Sequence, residues 1–166
     1  MSAVQLTLAL LLVGCGEPQR LTLESGPVPL VAAGPLFEGS NTAQGNWAPG
    51  LDAFLAAHGH TRDDLRDVRL VAATLAGADS LGLEGIRSVS VQWTSDDEGM
   101  RPMAVRNPLP SEPGPVALTV AQERSDLADL LLGGAITVVA DLDLEADSET
   151  DRHVIGSFTL ELTLDP

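Results

Sequence analysis

Two-residue alternation of apolar and polar side chains, which dominates the second half of the chain, constrains its fold more than any other feature. From residue 135 to 146 the even positions carry Ile136, Val138, Ala140, Leu142 and Leu144, with Asp141, Asp143 and Glu145 between them. From 154 to 164 the same pattern returns through Val154, Phe158, Leu160 and Leu162. A helix would scatter these residues around its axis, whereas a strand puts every second side chain on one face. Two half-buried strands are expected, joined as a hairpin around residues 147–152.

Further strands are expected at residues 21–24, 36–39, 68–75, 86–94 and 116–121, each rich in Val, Leu, Ile, Thr or Trp and bounded by Gly, Pro or Asp. Helical pieces interrupt them. Pro49 opens a run over 51–58 that Gly59 stops, Thr61-Arg62-Asp63-Asp64 has the form of a capped helix start, and residues 125–132 run from Ser125 to Gly133-Gly134. Strands without regular strand–helix alternation predict a mainly β fold, an antiparallel β-sandwich with two or three short helical insertions. Pro108, Pro110, Pro113 and Pro115 make 107–115 unfit for helix or central strand, so this segment is expected to bridge the two sheets or wrap an edge.

At 166 residues, 44% apolar, the chain suits one such domain. Its nine basic residues are all arginines and face 24 acids; the formal charge of −15 argues against nucleic acid or a polybasic membrane patch. Trp47, Trp93, Phe37, Phe54 and Phe158 are the only aromatic residues, too few for base-stacking platforms.

Residues 3–13 form an apolar run too short to span about 30 Å of hydrocarbon and of the length of a signal-peptide core. The run leads into Leu12-Val13-Gly14-Cys15, which holds the only cysteine. These residues resemble the lipobox of a bacterial lipoprotein precursor. The resemblance implies cleavage before Cys15, acyl chains on its sulfur as the membrane partner, and a cell-envelope location. Gly16 in place of Asp fits outer-membrane sorting as enteric bacteria practise it. It divides the chain into a signal peptide at 1–14, a tether at 15–20 and a single β-sandwich domain at 21–166. The order of elements from 68 to 166 is also similar, without a diagnostic motif, to that of small secreted β-sandwich lipoproteins. With a single cysteine the body holds no disulfide.

Asp141, Asp143, Glu145, Asp147, Glu149 and Asp151 place an acid at every second position. On one strand they would share a face, and hard carboxylate oxygens suit calcium. An EF-hand loop begun at Asp141 fails, because its sixth position is Ala146 and its twelfth Arg152. Water solvates such a face equally well, so no metal and no cofactor is assigned. Asp96-Asp97-Glu98 before Gly99 reads as a solvated turn. His58 and His60 lie two apart and His153 far off, which favours a helix end and a turn over zinc ligation. Ser80 in Ala78-Asp79-Ser80-Leu81-Gly82 lacks the strand–helix context of a nucleophile elbow, and Gly133-Gly134 follows a helix where a phosphate loop precedes one.

No catalytic residue is assigned. The expectation is a lipid-anchored, non-enzymatic binding or structural module, with other envelope proteins among its partners. The alternatives are a calcium-dependent adhesion or assembly module using the 141–151 face, and an envelope hydrolase with an unrecognised carboxylate site.

Overall fold

The computed structural model describes residues 17–79, 82–96, 99–110, 114–121 and 127–165. Along them run β1 (Gln19–Glu24), β2 (Val28–Ala32), β3 (Gly39–Trp47), α1 (Leu51–Ala57), a single 3-10 turn (Arg62–Asp64) and β4 (Leu65–Gly77). Then come β5 (Ile86–Thr94), β6 (Arg101–Arg106), β7 (Val116–Ala117), β8 (Thr119–Val120), α2 (Ala128–Leu132), β9 (Ile136–Leu144) and β10 (Arg152–Leu164). The fold is the expected mainly β, antiparallel sandwich.

The two alternating segments become the central strands of opposite layers. β10 lies between β4 on one side and β1 and β2, end to end, on the other. β9 lies between β3 and β5, and β6 continues that layer. Val154, Phe158, Leu160, Leu162 and Leu164 face Ile136, Val138, Ala140, Leu142 and Leu144 across one core, all buried. Trp93 of β5 stands edge-on to Phe158 of β10 with ring centroids 5.0 Å apart, and Trp47 of β3 stands 5.3 Å from Trp93. Edge-to-face rings at this spacing add about 0.5–1.5 kcal/mol per pair beyond the area they bury.

The expected 147–152 hairpin does not form: β9 and β10 are separated by β2 and β3 in the sheet order, and residues 145–151 cross from one layer to the other. Period two fixes which face of a strand is buried and leaves its edge partner open. What decides here is the crossing itself. Leu36 and Ser148 exchange backbone hydrogen bonds of 2.8 and 2.9 Å, and Asp147 and Asp151 accept the N–H groups of Glu38 and Gly34 at 2.7 and 2.8 Å. The crossing is thereby fastened to residues 33–38.

The layers join at both sides. β2 meets β3 at Val31 and Gln44, and a Cβ on neighbouring Gly45 would fall 2.1 Å from the Pro29 carbonyl oxygen, so only glycine admits the crossing. On the far side β7 pairs with β4 and β8 with β6, so residues 116–120 span the two layers and nearly close the sheet into a flattened barrel. The described residues of the proline segment, 107–110 and 114–115, lie between β6 of one layer and β7 on the other, one of the two courses expected for them.

Other departures have local causes. Residues 36–39 give a strand only from Gly39, Leu36 making one isolated bridge to Ser148. β2, β3 and β6 were not expected. β3 reads Gly-Ser-Asn-Thr-Ala-Gln-Gly-Asn-Trp, with little intrinsic strand preference, and is held by β9 along its whole length. β6 contains Pro102 and a bulge that turns both Met103 and Ala104 inward. α1 follows the expected 51–58 run and ends at His58, with Gly59 at φ 81°. Gly50 at φ 59° precedes it in the left-handed region. α2 begins at Ala128; Ser125, its expected cap, lies outside the described residues.

Candidate functional site

The strand directions sort the loops into two ends. Residues 33–38, 78–79, 82–85, 107–110, 114–115 and 145–151 meet at one; α1, the 3-10 turn, residues 95–96 and 99–100, α2 and both described termini gather at the other.

At the first end a cleft of about 1210 Å³ opens between the β4–β5 connection and the proline segment. Its lining includes Gly77, Asp79, Gly82, Leu83, Glu84, Gly85, Arg87, Asn107, Pro108, Leu109, Pro110, Gly114, Pro115 and Glu145. Much of this wall is backbone, because glycine and proline carry no long side chain to fill it. A Cβ on Gly77 would lie 2.1 Å from the Gly82 Cα, so that close turn exists only with glycine.

Arg87 braces the rim. β5 carries one extra residue between Ile86 and Ser88, which pair with Leu144 and Asp143, and Arg87 is that residue. Its Nη2 donates to the Leu144 carbonyl at 2.6 Å and to Glu38 Oε1 at 3.3 Å, and its Nε lies 3.8 Å from Asp143 Oδ2. Its own carbonyl accepts the Leu109 N–H at 2.8 Å, and the Gly85 carbonyl accepts the Glu145 N–H at 2.9 Å. One side chain and two backbone bonds thus lock four loops together. Behind Gly85 lies Arg152, whose Nε and Nη1 are buried and have no hydrogen-bond partner among the described residues. Among the described residues that line the cleft, the acids Asp79, Glu84 and Glu145 outnumber Arg87, which disfavours anionic ligands.

The six alternating acids do not share one face. Asp141 and Asp143 lie on the solvent side of β9, where Asp141 accepts from Thr42 Oγ1 at 3.1 Å and Gln92 Nε2 at 2.9 Å. Glu145 lines the cleft, Asp147 and Asp151 cap the 33–38 backbone, and Glu149 is exposed in the crossing. The strand that would have aligned them ends at Leu144. Among the described residues no group of three or more His, Cys, Asp or Glu side chains is arranged to hold a metal ion.

The histidines diverge as well. His58 Nδ1 lies 2.8 Å from the Phe54 carbonyl at the end of α1. His60 sits between Gln19 Oε1 at 3.0 Å and Asp64 Oδ2 at 3.8 Å, while His153 is exposed near the cleft end. Asp64 accepts the Thr61 N–H at 2.7 Å and its hydroxyl at 3.0 Å, and these bonds hold the Asp64 carboxyl below its ordinary pKa. Asp52 is lowered too, by its hydrogen bonds from the Arg62 guanidinium. Cys15, Ser80, Asp97 and Glu98 lie outside the described residues.

Arg87 and the Gly82–Gly85 turn escaped the sequence reading. An arginine flanked by Ile86 and Ser88 has no motif, and the bulge that aims it becomes visible only once β5 and β9 are in register.

No protein family matches this sequence, and no curated protein does. Among solved structures the chain is similar to one of Desmodium yellow mottle tymovirus, with 11% identity over 99% of this chain and 97% of that one and a TM-score of 0.32. It is similar also to one of the empty head of turnip yellow mosaic virus, with 12% identity over 100% and 92% and a TM-score of 0.27. Scores this low establish neither a shared topology nor a shared function.

Proposed function

We propose that this chain is a lipid-anchored protein of a bacterial cell envelope, held in the outer membrane by acyl chains on Cys15, and that its body is a non-enzymatic binding module working through the cleft. The Leu12-Val13-Gly14-Cys15 sequence after a short apolar run supports the anchor. A single acyl chain binds a membrane only marginally, so the several chains of a lipoprotein are what make such an anchor firm. The observation that carries the binding role is the braced cleft: backbone-rich walls present shape and hydrogen-bonding groups, and Arg87 fixes the rim before any ligand arrives.

Fractionation tests the anchor. The intact chain should sediment with membranes and Cys15→Ala should not; equal distribution of the two overturns it. A photoreactive side chain at cleft residue Glu84 should give adducts in cells that the same group at exposed Ala56 of α1 does not. Equal labelling at the two positions, or labelling at neither, takes the binding role from the cleft.

A further inference from the structure

We infer that the anchored protein stands on its α1 end, presenting the cleft away from the anchoring bilayer to a partner that is not a lipid of that bilayer. The inference rests on the anchor proposed above and adds a direction to it. β1 begins at Gln19, which pairs with Leu164, and Leu164 pairs in turn with Leu65 at the start of β4. Cys15 precedes Gln19 by four residues, so an extended chain carries the body at most about 14 Å from its acylated sulfur. The cleft lies at the other end of β4, beside Ala76 and Gly77. Thirteen strand residues at about 3.3 Å each separate the ends by roughly 40 Å, nearly three times the reach of the tether.

The two ends hold their carboxylates differently. At the tether end the arginines are matched to acids: Arg62 with Asp52, Arg66 with Asp165, Arg20 with Glu161 at 3.6 Å. Asp147 and Asp151 at the cleft end are satisfied by backbone N–H groups, which hold a carboxylate without neutralising it, and Glu84, Glu145 and Glu149 stand near them. Asp63, Asp96 and Asp129 stand at the tether end as well, so both ends are acidic and the reach of the tether sets the direction. His60, bonded to Gln19, ties the start of β1 to the loop after α1 and keeps the tether's exit on that face.

The test uses the full chain, lipidated in its bacterial host and reconstituted into vesicles of phosphatidylethanolamine and phosphatidylglycerol. Single cysteines replace exposed Ala56 or exposed Glu149 and carry a fluorophore, the acylated Cys15 sulfur being unreactive. Acceptor-labelled lipid should quench the Ala56→Cys probe several-fold more than the Glu149→Cys probe. Vesicles that float with the protein but quench both alike, or Glu149→Cys more, overturn the orientation and leave the anchor standing. Protein that does not float overturns the anchor and the orientation with it.

Discussion

Replacing Arg87 by alanine removes the brace of the cleft rim, and the structure sets the size of the loss. The guanidinium makes one short bond, 2.6 Å to the carbonyl of Leu144, a residue only 1% exposed at the end of the central strand β9. A hydrogen bond from a charged donor contributes about 1.5–3 kcal/mol. Its carboxylate partners are weaker. Glu38 and Asp143 are 65% and 41% exposed at the side chain, at 3.3 and 3.8 Å, and solvent screens such pairs to about 0.2–1 kcal/mol each. Arg87 is itself 44% exposed, so water recovers part of the Leu144 bond when it is gone. A loss of about 2 kcal/mol follows, which for a domain of this size lowers the melting temperature by roughly 4–8 °C. Urea unfolding followed by the emission of Trp47 and Trp93, which sit in the core these strands enclose, reads it directly. Arg87→Lys keeps one cationic donor and should recover most of the loss. If Arg87→Ala costs less than about 0.5 kcal/mol, the guanidinium is a surface ornament and the rim is held by backbone alone.

Three other expectations come from the same geometry. Ser25 bridges the break between β1 and β2, its Oγ accepting the Phe158 N–H at 2.9 Å; Ser25→Ala should cost about 1–2 kcal/mol in urea unfolding and speed hydrogen exchange at the Phe158 amide, whereas Ser25→Thr should do neither. Asp64 has its folded pKa below the unfolded value, so its contribution to stability is present in full above the unfolded value and is lost as pH falls through the folded one; wild type should lose more stability than Asp64→Asn across that acid window, and parallel curves would contradict the Thr61 contacts. Asp147 and Asp151 are committed to backbone donors and Asp143 faces Arg87, so millimolar calcium or a chelator should leave the melting temperature unchanged; a clear rise with calcium would revive the acidic segment as a cation site.

How far the fold could be read from the sequence followed from where periodicity is strong. β5 and the faces of β9 and β10 were legible because alternating Val, Leu and Ile admit one buried side. β3 was not, since its polar, glycine-bearing sequence becomes a strand only between β2 and β9 and needs Gly45 for the approach of Pro29. The false hairpin has the same root: alternation specifies a face, and the partner was chosen by hydrogen bonds from residues 34–38 to 147–151, more than a hundred positions apart. The cleft shows the same limit. Its prolines were legible as a segment outside helix and central strand, while its rim depends on Arg87, a residue placed by a bulge.

The anchor on Cys15 is the claim on which location and orientation both depend, and mass spectrometry of the membrane-extracted protein tests it most directly. Trypsin cuts after Arg20, so the anchored protein should yield an amino-terminal peptide of residues 15–20 carrying acyl chains on the Cys15 sulfur. A peptide still joined to residues 1–14, or a Cys15 that alkylates as a free thiol, would contradict it.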